Sequence, residues 1–425
     1  MPHNRTNPLV LLLFVTAQSS FAFAAPELEL KEVLRRAADV NPQVQALRMK
    51  EVASEYRVEI AKADYYPSVN IEAVESTGFP GSVAHLGIGG LLASPFRSGA
   101  AVGVVSNIPI WDFGRTSNSV EAARHDALGQ RADTLYSRYQ TYQTGLQVFY
   151  ECALDRNLKE VWTELAEGAG LVRKVINGFV KTGQRSVVER YLVDSQLENA
   201  KTQVAIFSER EKEQIKEIGL LIGRSPETFA CPILPSEEQA VAFFQGTPRG
   251  NPIITQAGEA VLAARSRVDQ AKSDFMPKLV GVADAAIMQD QRLVDPNYYA
   301  VGVALVLPVF EGFRTVNKVG EANASASSAE KELEARKLEI ADLNARYDKI
   351  IQSTRTGMNL LKNEFVLAKK GFDLAKSRYY SLEGGVVDVR DAFDNLSRTQ
   401  TNLITTQAQY LQAMGAKAIL NGTPF

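Results

Sequence analysis

A mainly α-helical chain with a small β part, built from two copies of one helix, strand, strand, long helix, helix unit, is what this sequence predicts. Three observations carry that expectation. Asn41-Pro42 opens a helical stretch that runs to Tyr65-Tyr66-Pro67, and Asn251-Pro252 opens another that runs to Phe275-Met276-Pro277 in the same register. Farther on, Ile108-Pro109-Ile110-Trp111-Asp112-Phe113-Gly114-Arg115 is echoed by Leu307-Pro308-Val309-Phe310-Glu311-Gly312-Phe313-Arg314. Each echo leads into a long, proline-free segment rich in alanine and charge. Self-similarity on this scale means two like units placed side by side.

The chain opens on a secretory signal. Arg5 supplies the positive end, Leu9 to Val15 the apolar core and Ala22-Phe23-Ala24 a small-residue cleavage site, so residues 1–24 are expected to be removed. No cysteine follows that site, which argues against a lipid-anchored route. Beyond it no apolar run approaches the roughly 20 residues a membrane-spanning helix needs. Insertion into a bilayer would have to use strands. The first repeat is read as 25–223, an inter-repeat linker as 224–250 and the second repeat as 251–425.

Six helices are expected. Within the first long one, Leu128, Ala132, Leu135, Tyr139, Tyr142, Leu146, Phe149 and Ala153 alternate steps of four and three, a coiled-coil seam. After a one-step phase shift the seam resumes at Leu158, Trp162, Leu165, Ala169, Val172, Ile176 and Phe179. Helices from about Arg115 to Phe179 and from about Thr315 to Tyr380 would each be roughly 100 Å long at 1.5 Å per residue. Shorter helices return from them, about Ser186 to Ile222 and Val386 to Leu420, and the remaining two span about Leu30 to Ala63 and Pro252 to Asp274.

Strands are expected near 66–77 and 100–111, and again near 277–289 and 298–310. Ser68-Val69-Asn70-Ile71-Glu72-Ala73 alternates polar with apolar residues, one face for water and one for lipid. Thr77 to Gly99 reads as a loop between the first pair and Gln289 to Asn297 as a shorter one between the second. Each hairpin is about ten residues tall, the height of an outer-membrane strand. Even small membrane barrels need about eight strands. Strands from one chain would therefore have to join strands from others, because open edges in lipid leave backbone groups unpaired.

Composition excludes several classes. With 47 basic and 49 acidic residues, the net charge of −2 offers nothing to nucleic acid. Cys152 lies in a long helix and Cys231 in the linker; in an oxidising compartment they could bridge, or they could stand as two buried thiols. Three scattered histidines make no metal site, and there is neither a phosphate loop nor a nucleophile motif, so no cofactor and no enzyme activity is expected.

On these features the chain resembles the TolC-type outer membrane efflux proteins, the exit ducts of tripartite export systems. The resemblance spans the mature sequence, and its most specific local motif is Val387-Asp388-Val389-Arg390-Asp391-Ala392, similar to the family's Val-Asp-Val-Leu-Asp-Ala. It implies a homotrimer whose strands form a twelve-stranded β-barrel in outer-membrane lipid, continued by a periplasmic α-helical barrel. It also implies two partners, a periplasmic adaptor protein and an inner-membrane transporter driven by ATP or protons. Gly114 and Gly312 would sit where strand turns into tunnel helix. Asp388 and Asp391 would ring the periplasmic constriction, with Glu189 and Tyr379 in the gate network. An arginine that the family places between that tyrosine and the first aspartate is missing, Gly384 falling in its place, and Arg390 is expected to replace it by pairing with Glu189 or a neighbouring chain. Thr182, Gly183, Gln184, Glu383, Gly384 and Gly385 would form the tips that dock the adaptor, glycine permitting the reversal. Acids at 388 and 391 also suit the first turn of any helix, and Glu189, Tyr379 and Arg390 would serve equally on a solvated surface. Trp111, Phe113, Phe310 and Phe313 read as an interfacial aromatic cluster.

The expected function is an exit duct for type I protein secretion, with small-molecule efflux through the same architecture as the alternative. A periplasmic coiled-coil scaffold or adhesin is the competing class.

Overall fold

A computed structural model describes residues 28–77, 84–88, 92–96, 98–289 and 297–423. The expected signal sequence lies outside them, as do parts of both expected strand-to-strand loops. The helices are α1 (Leu30–Val40), α2 (Pro42–Ala63), α3 (Arg115–Lys181), α4 (Val187–Ile222), α5 (Glu237–Phe244), α6 (Pro252–Ser273), α7 (Arg314–Tyr380) and α8 (Val386–Leu420). The strands are β1 (Ser68–Thr77), β2 (Ala84–Ile88), β3 (Leu92–Phe96), β4 (Ser98–Trp111), β5 (Lys278–Gln289) and β6 (Asn297–Val306).

The two Asn-Pro helix starts make matching hydrogen bonds. Asn41 precedes proline and is held extended, where its side chain caps α2 by accepting from the Gln43 amide at 2.8 Å. Asn251 does the same for α6, accepting from Ile253 at 2.9 Å. The other end of each amide reaches another helix: Asn41 donates to the Thr141 hydroxyl at 3.2 Å and Asn251 to the Leu420 carbonyl at 2.8 Å. Pro42 thereby divides the single helix expected over 30–63 into α1 and α2. A further unexpected helix, α5, starts in the linker at a capping box of Ser236 and Gln239.

Two 67-residue helices, α3 and α7, are each roughly 100 Å long. The lower half of the α3 seam packs as expected, with Leu158, Trp162, Leu165, Ala169, Val172 and Ile176 buried against α4, α7 and α8. The upper half departs from it at two positions: Leu128 and Leu135 are exposed, while Ala132, Leu146, Phe149 and Ala153 are buried as expected, and Val120, Ala122 and Gly129 are buried beside them. There α3 is flanked by both α2 and α6, and close approach is set by small residues; a Cβ on Gly129 would sit 3.8 Å from Glu259 Cβ.

Strands β1, β4, β5 and β6 form one antiparallel sheet in that order, and β2 with β3 forms a separate hairpin. The register places Ile71 opposite Val104, Val104 opposite Ala285 and Ala285 opposite Tyr299, so one face runs apolar across all four strands. Val69, Ile71, Val102, Ile287, Tyr299, Val301, Val303 and Leu305 on that face are all exposed. Asn70, Glu72 and Asp284 lie on the other. Pro109 is accommodated by a bulge in β4, where Pro109 faces Val280 and Trp111 faces Leu279. Strand β6 stops at Val306 rather than at the expected 310, two residues before Pro308, which has no amide hydrogen to extend a ladder.

Mid-height, the linker crosses from the first repeat to the second. Cys231 is disulfide-bonded to Cys152 of α3, with 5.4 Å between their Cα atoms. The bond closes a loop of 79 residues, for which chain entropy alone gives about 4.5 kcal/mol of stabilisation.

Near that bond lies Asp155, 7% exposed, whose carboxyl is pushed up to about 6 by burial; Arg210 lowers it and Glu151 and Glu211 add to the rise. A carboxyl raised in the fold binds its proton more tightly there than in the unfolded chain, so stability falls as pH rises from about 4 through 6. Asp155→Asn should stabilise the protein by about 1–2 kcal/mol at pH 8, a discounted fraction of the shift, and by little at pH 4. Thermal unfolding of both proteins at the two pH values checks this.

Candidate functional site

The helical hairpins end in two turns at one end of the molecule. Residues 182–186 join α3 to α4, with Gly183 in the left-handed region at φ 75°. Residues 381–385 join α7 to α8, and the left-handed position there is held by Leu382 at φ 65°. Glycine does not make this second reversal, contrary to expectation. Gly384 serves a different need, since a Cβ on it would lie 3.3 Å from Arg378 Cβ; it lets the turn close on the end of α7. Gly385 is extended and precedes α8.

Between the turns lies a small polar cluster in an apolar setting. Tyr379, in the last turn of α7, is fully buried and donates its hydroxyl to Glu189 Oε2 at 2.6 Å. Glu189 stands in the first turn of α4. Burial, then the bond and charge of Glu189, hold the Tyr379 hydroxyl far above the ordinary tyrosine range, so it remains a donor. The cation of the cluster is Arg185. Its guanidinium lies 4.8 Å from the Tyr379 ring centre, its Nη2 donates to the Gly384 carbonyl at 2.7 Å, and it comes within 3.9 Å of Glu189. One arginine thus ties the first turn to the second.

Arg390 takes no part, so the expected pairing with Glu189 within the chain is corrected. Its guanidinium holds Asp391 Oδ1 at 2.8 and 3.0 Å instead. The reason is helical phase: Val389, one residue earlier, is the one buried at the tip, and Arg185 already fills the space beside Glu189. The Arg390 carbonyl accepts from Gln196 Nε2 at 3.2 Å, joining α4 to α8. Asp388 caps α8 by accepting from the Gly385 amide at 3.2 Å and is exposed. Asp388 and Asp391 are three residues apart on one helix face. Thr182, Gly183, Gln184, Glu383 and Gly385 are exposed at the tips, and Gly384 is half-buried. Arg185 escaped the sequence reading, although its place four residues before Glu189 was the available signal.

At the other end, both strand-to-helix junctions use two successive left-handed residues, Phe113-Gly114 in one repeat and Gly312-Phe313 in the other. The first is braced by Asp112, which accepts from the Gly114 amide at 3.1 Å and the Thr116 amide at 2.7 Å. Trp111 and Phe113 meet edge-on at 6.0 Å, as do Phe310 and Phe313 at 5.6 Å, and all four are exposed. Exposed Tyr65, Tyr66, Phe275 and Met276 share their level, the ends of α2 and α6.

The chain thus joins a sheet with one exposed apolar face, and exposed aromatics at its helix junctions, to two helices of roughly 100 Å. The chain belongs to the outer membrane efflux protein family, whose model matches residues 33–213 and 249–416. In structure it is similar to the outer membrane protein VceC from Vibrio cholerae, at 17% identity over 93% of this chain and 96% of that one, TM-score 0.77. The MtrE outer membrane channel of Neisseria gonorrhoeae, in its open state, matches at 14% identity over 94% and 90%, TM-score 0.72. The CmeC outer membrane channel of Campylobacter jejuni matches at 13% over 99% and 94%, TM-score 0.71. No curated protein sequence matches the chain. The protein is an outer-membrane efflux channel of a tripartite system, a passive channel and not an enzyme, with its tunnel in the periplasm of a Gram-negative cell.

If the cluster latches the tips, Tyr379→Phe and Arg185→Ala should each raise resting conductance in planar bilayers. Tyr379→Phe also leaves Glu189 without its buried partner, a loss of about 1–3 kcal/mol readable in thermal unfolding.

Proposed function

We propose that three copies of this chain make one continuous duct, closed at rest by its periplasmic tips, through which an inner-membrane transporter and its adaptor export cargo. The observation that carries the reading is the sheet: four strands, one exposed apolar face, and edges at β1 and β6 with no partner within the chain's sheet. In lipid those edges must be paired. A ring of three chains does so, β6 of each beside β1 of the next, giving twelve strands and leaving Asn70, Glu72 and Asp284 toward water. The same rotation gives partners to the helices at the margins of the wall. Met49, Val52, Tyr56 and Ile60 on α2, and Leu360, Leu367 and Leu374 on α7, are exposed at helical spacing.

The tips act as gate and filter. Tyr379, Glu189 and Arg185 hold the two hairpins of a chain together, and the adaptor docks on the exposed residues of both turns and draws them apart. Asp388 and Asp391 face the constriction. Because Arg390 already neutralises Asp391, the uncompensated charge of the ring comes from Asp388. Neither cofactor nor energy source is needed in such a wall, and the transporter supplies the work. The cargo proposed is secreted polypeptide, as in type I secretion. Small-molecule efflux uses the same wall and is the other outcome of the test.

Planar-bilayer currents check the filter. Cation selectivity should fall sharply in Asp388→Ala, little in Asp391→Ala, and rise in Arg390→Ala as Asp391 is unmasked; equal effects at 388 and 391 would refute the assignment. Loss of polypeptide export in a strain lacking the chain, with unchanged sensitivity to small toxic compounds, supports protein secretion. The reverse pattern identifies a small-molecule duct.

A further inference from the structure

The linker between the repeats has no part in the proposed gate, yet it is tethered to both repeats. Cys231, fully buried, is bonded to Cys152 of α3, and the Cys231 carbonyl accepts from Arg156, one turn further along α3. A few residues on, the linker grips the second repeat. The Pro235 carbonyl accepts from Gln407 Nε2 of α8 at 3.0 Å, and Glu237 pairs with Arg355 of α7 at 2.8 Å. Phe244 closes the contact against Gly415 of α8, where an added Cβ would approach its ring to 3.0 Å and Leu146 of α3 to 2.6 Å.

Residues 152–156 lie about 57 Å below the start of α3 and Arg355 about 61 Å below the start of α7, so both sets of anchors sit at one height. Below that height lie the apolar seam, the α3–α4 pairs Lys159–Glu211 and Arg173–Asp194, and the tip cluster; above it about 57 Å of helix leads to the sheet. A crosspiece fixed covalently to one repeat and by an ion pair and a hydrogen bond to the other resists their separation at that level.

We propose that this linker is an oxidised clamp: the Cys152–Cys231 bond makes its hold on α3 permanent, so α7 and α8 cannot swing from α3 at mid-height and gate opening is confined to the wall below. The inference rests on the duct reading above. Closing the bond removes two protons and two electrons from the paired thiols and passes them to an acceptor disulfide, which leaves as a dithiol. Both sulfurs are buried in the finished wall, so a periplasmic thiol oxidant must act on the chain before this core closes.

The test starts from protein unlatched at the tips by Tyr379→Phe with Arg185→Ala, recorded in planar bilayers. Adding Cys152→Ser with Cys231→Ser should raise the open-state conductance and widen its distribution. Adding Glu237→Gln instead, with the disulfide intact, should shift it the same way, and combining both should add little, because either loss frees the crosspiece. Open-state currents that stay unchanged while unfolding temperature falls would overturn the clamp and leave a plain staple. Should the cysteine variant fail to assemble, Glu237→Gln and Gln407→Ala carry the same test. Absence of current from every protein would instead defeat the duct reading on which the clamp depends.

Discussion

A strand edge in hydrocarbon has no water to fall back on, and that constraint shapes everything else in this molecule. Each unpaired backbone group costs several kcal/mol in lipid. A sheet of four strands with an apolar face is therefore only a sector of something larger. In the assembly proposed above, the sector's neighbours are copies of itself, related by a rotation that brings β6 to β1. That rotation fixes how many helices line the tunnel and how the tips converge.

In the proposed duct, the helices link the barrel to the gate. Their length carries the wall roughly 100 Å from the sheet, and a wall of single helices that long is stiff only where something braces it. Among its braces, three stand at well-separated heights. At the top, Asp112 and the paired left-handed residues at 113–114 and 312–313 set the angle between strand and helix. In the middle, the disulfide-anchored linker joins α3 to α7 and α8. At the bottom, polar contacts around Tyr379 tie the two turns together at the end of the apolar seam.

Much of this was legible in the residues. Asn-Pro pairs at 41 and 251 announced both helix caps because proline restricts its neighbour and asparagine supplies the cap oxygen, and both effects are local. The apolar alternation from Ser68 to Ala73 likewise gave the face of β1. What escaped depended on distance in space. Arg185 reaches Gly384 across 199 positions, and its spacing from Glu189 signals an ion pair but not that reach. Arg390 looked like the replacement cation from its place in the motif, yet helical phase turns it to Asp391. Leu382 takes a left-handed conformation although two glycines follow at 384 and 385, because the turn is set by where α7 and α8 end. The cysteines left two states open in the sequence, and only their approach in the fold decides between them.

The most direct measurement of the central claim is the native mass of the protein released from outer membranes in mild detergent, read with cysteine cross-linking between β1 and β6 edge positions. The account predicts three chains per particle and cross-links that convert monomer to a closed trimer on denaturing gels. A monomeric particle, or cross-links that form only within one chain, would contradict it.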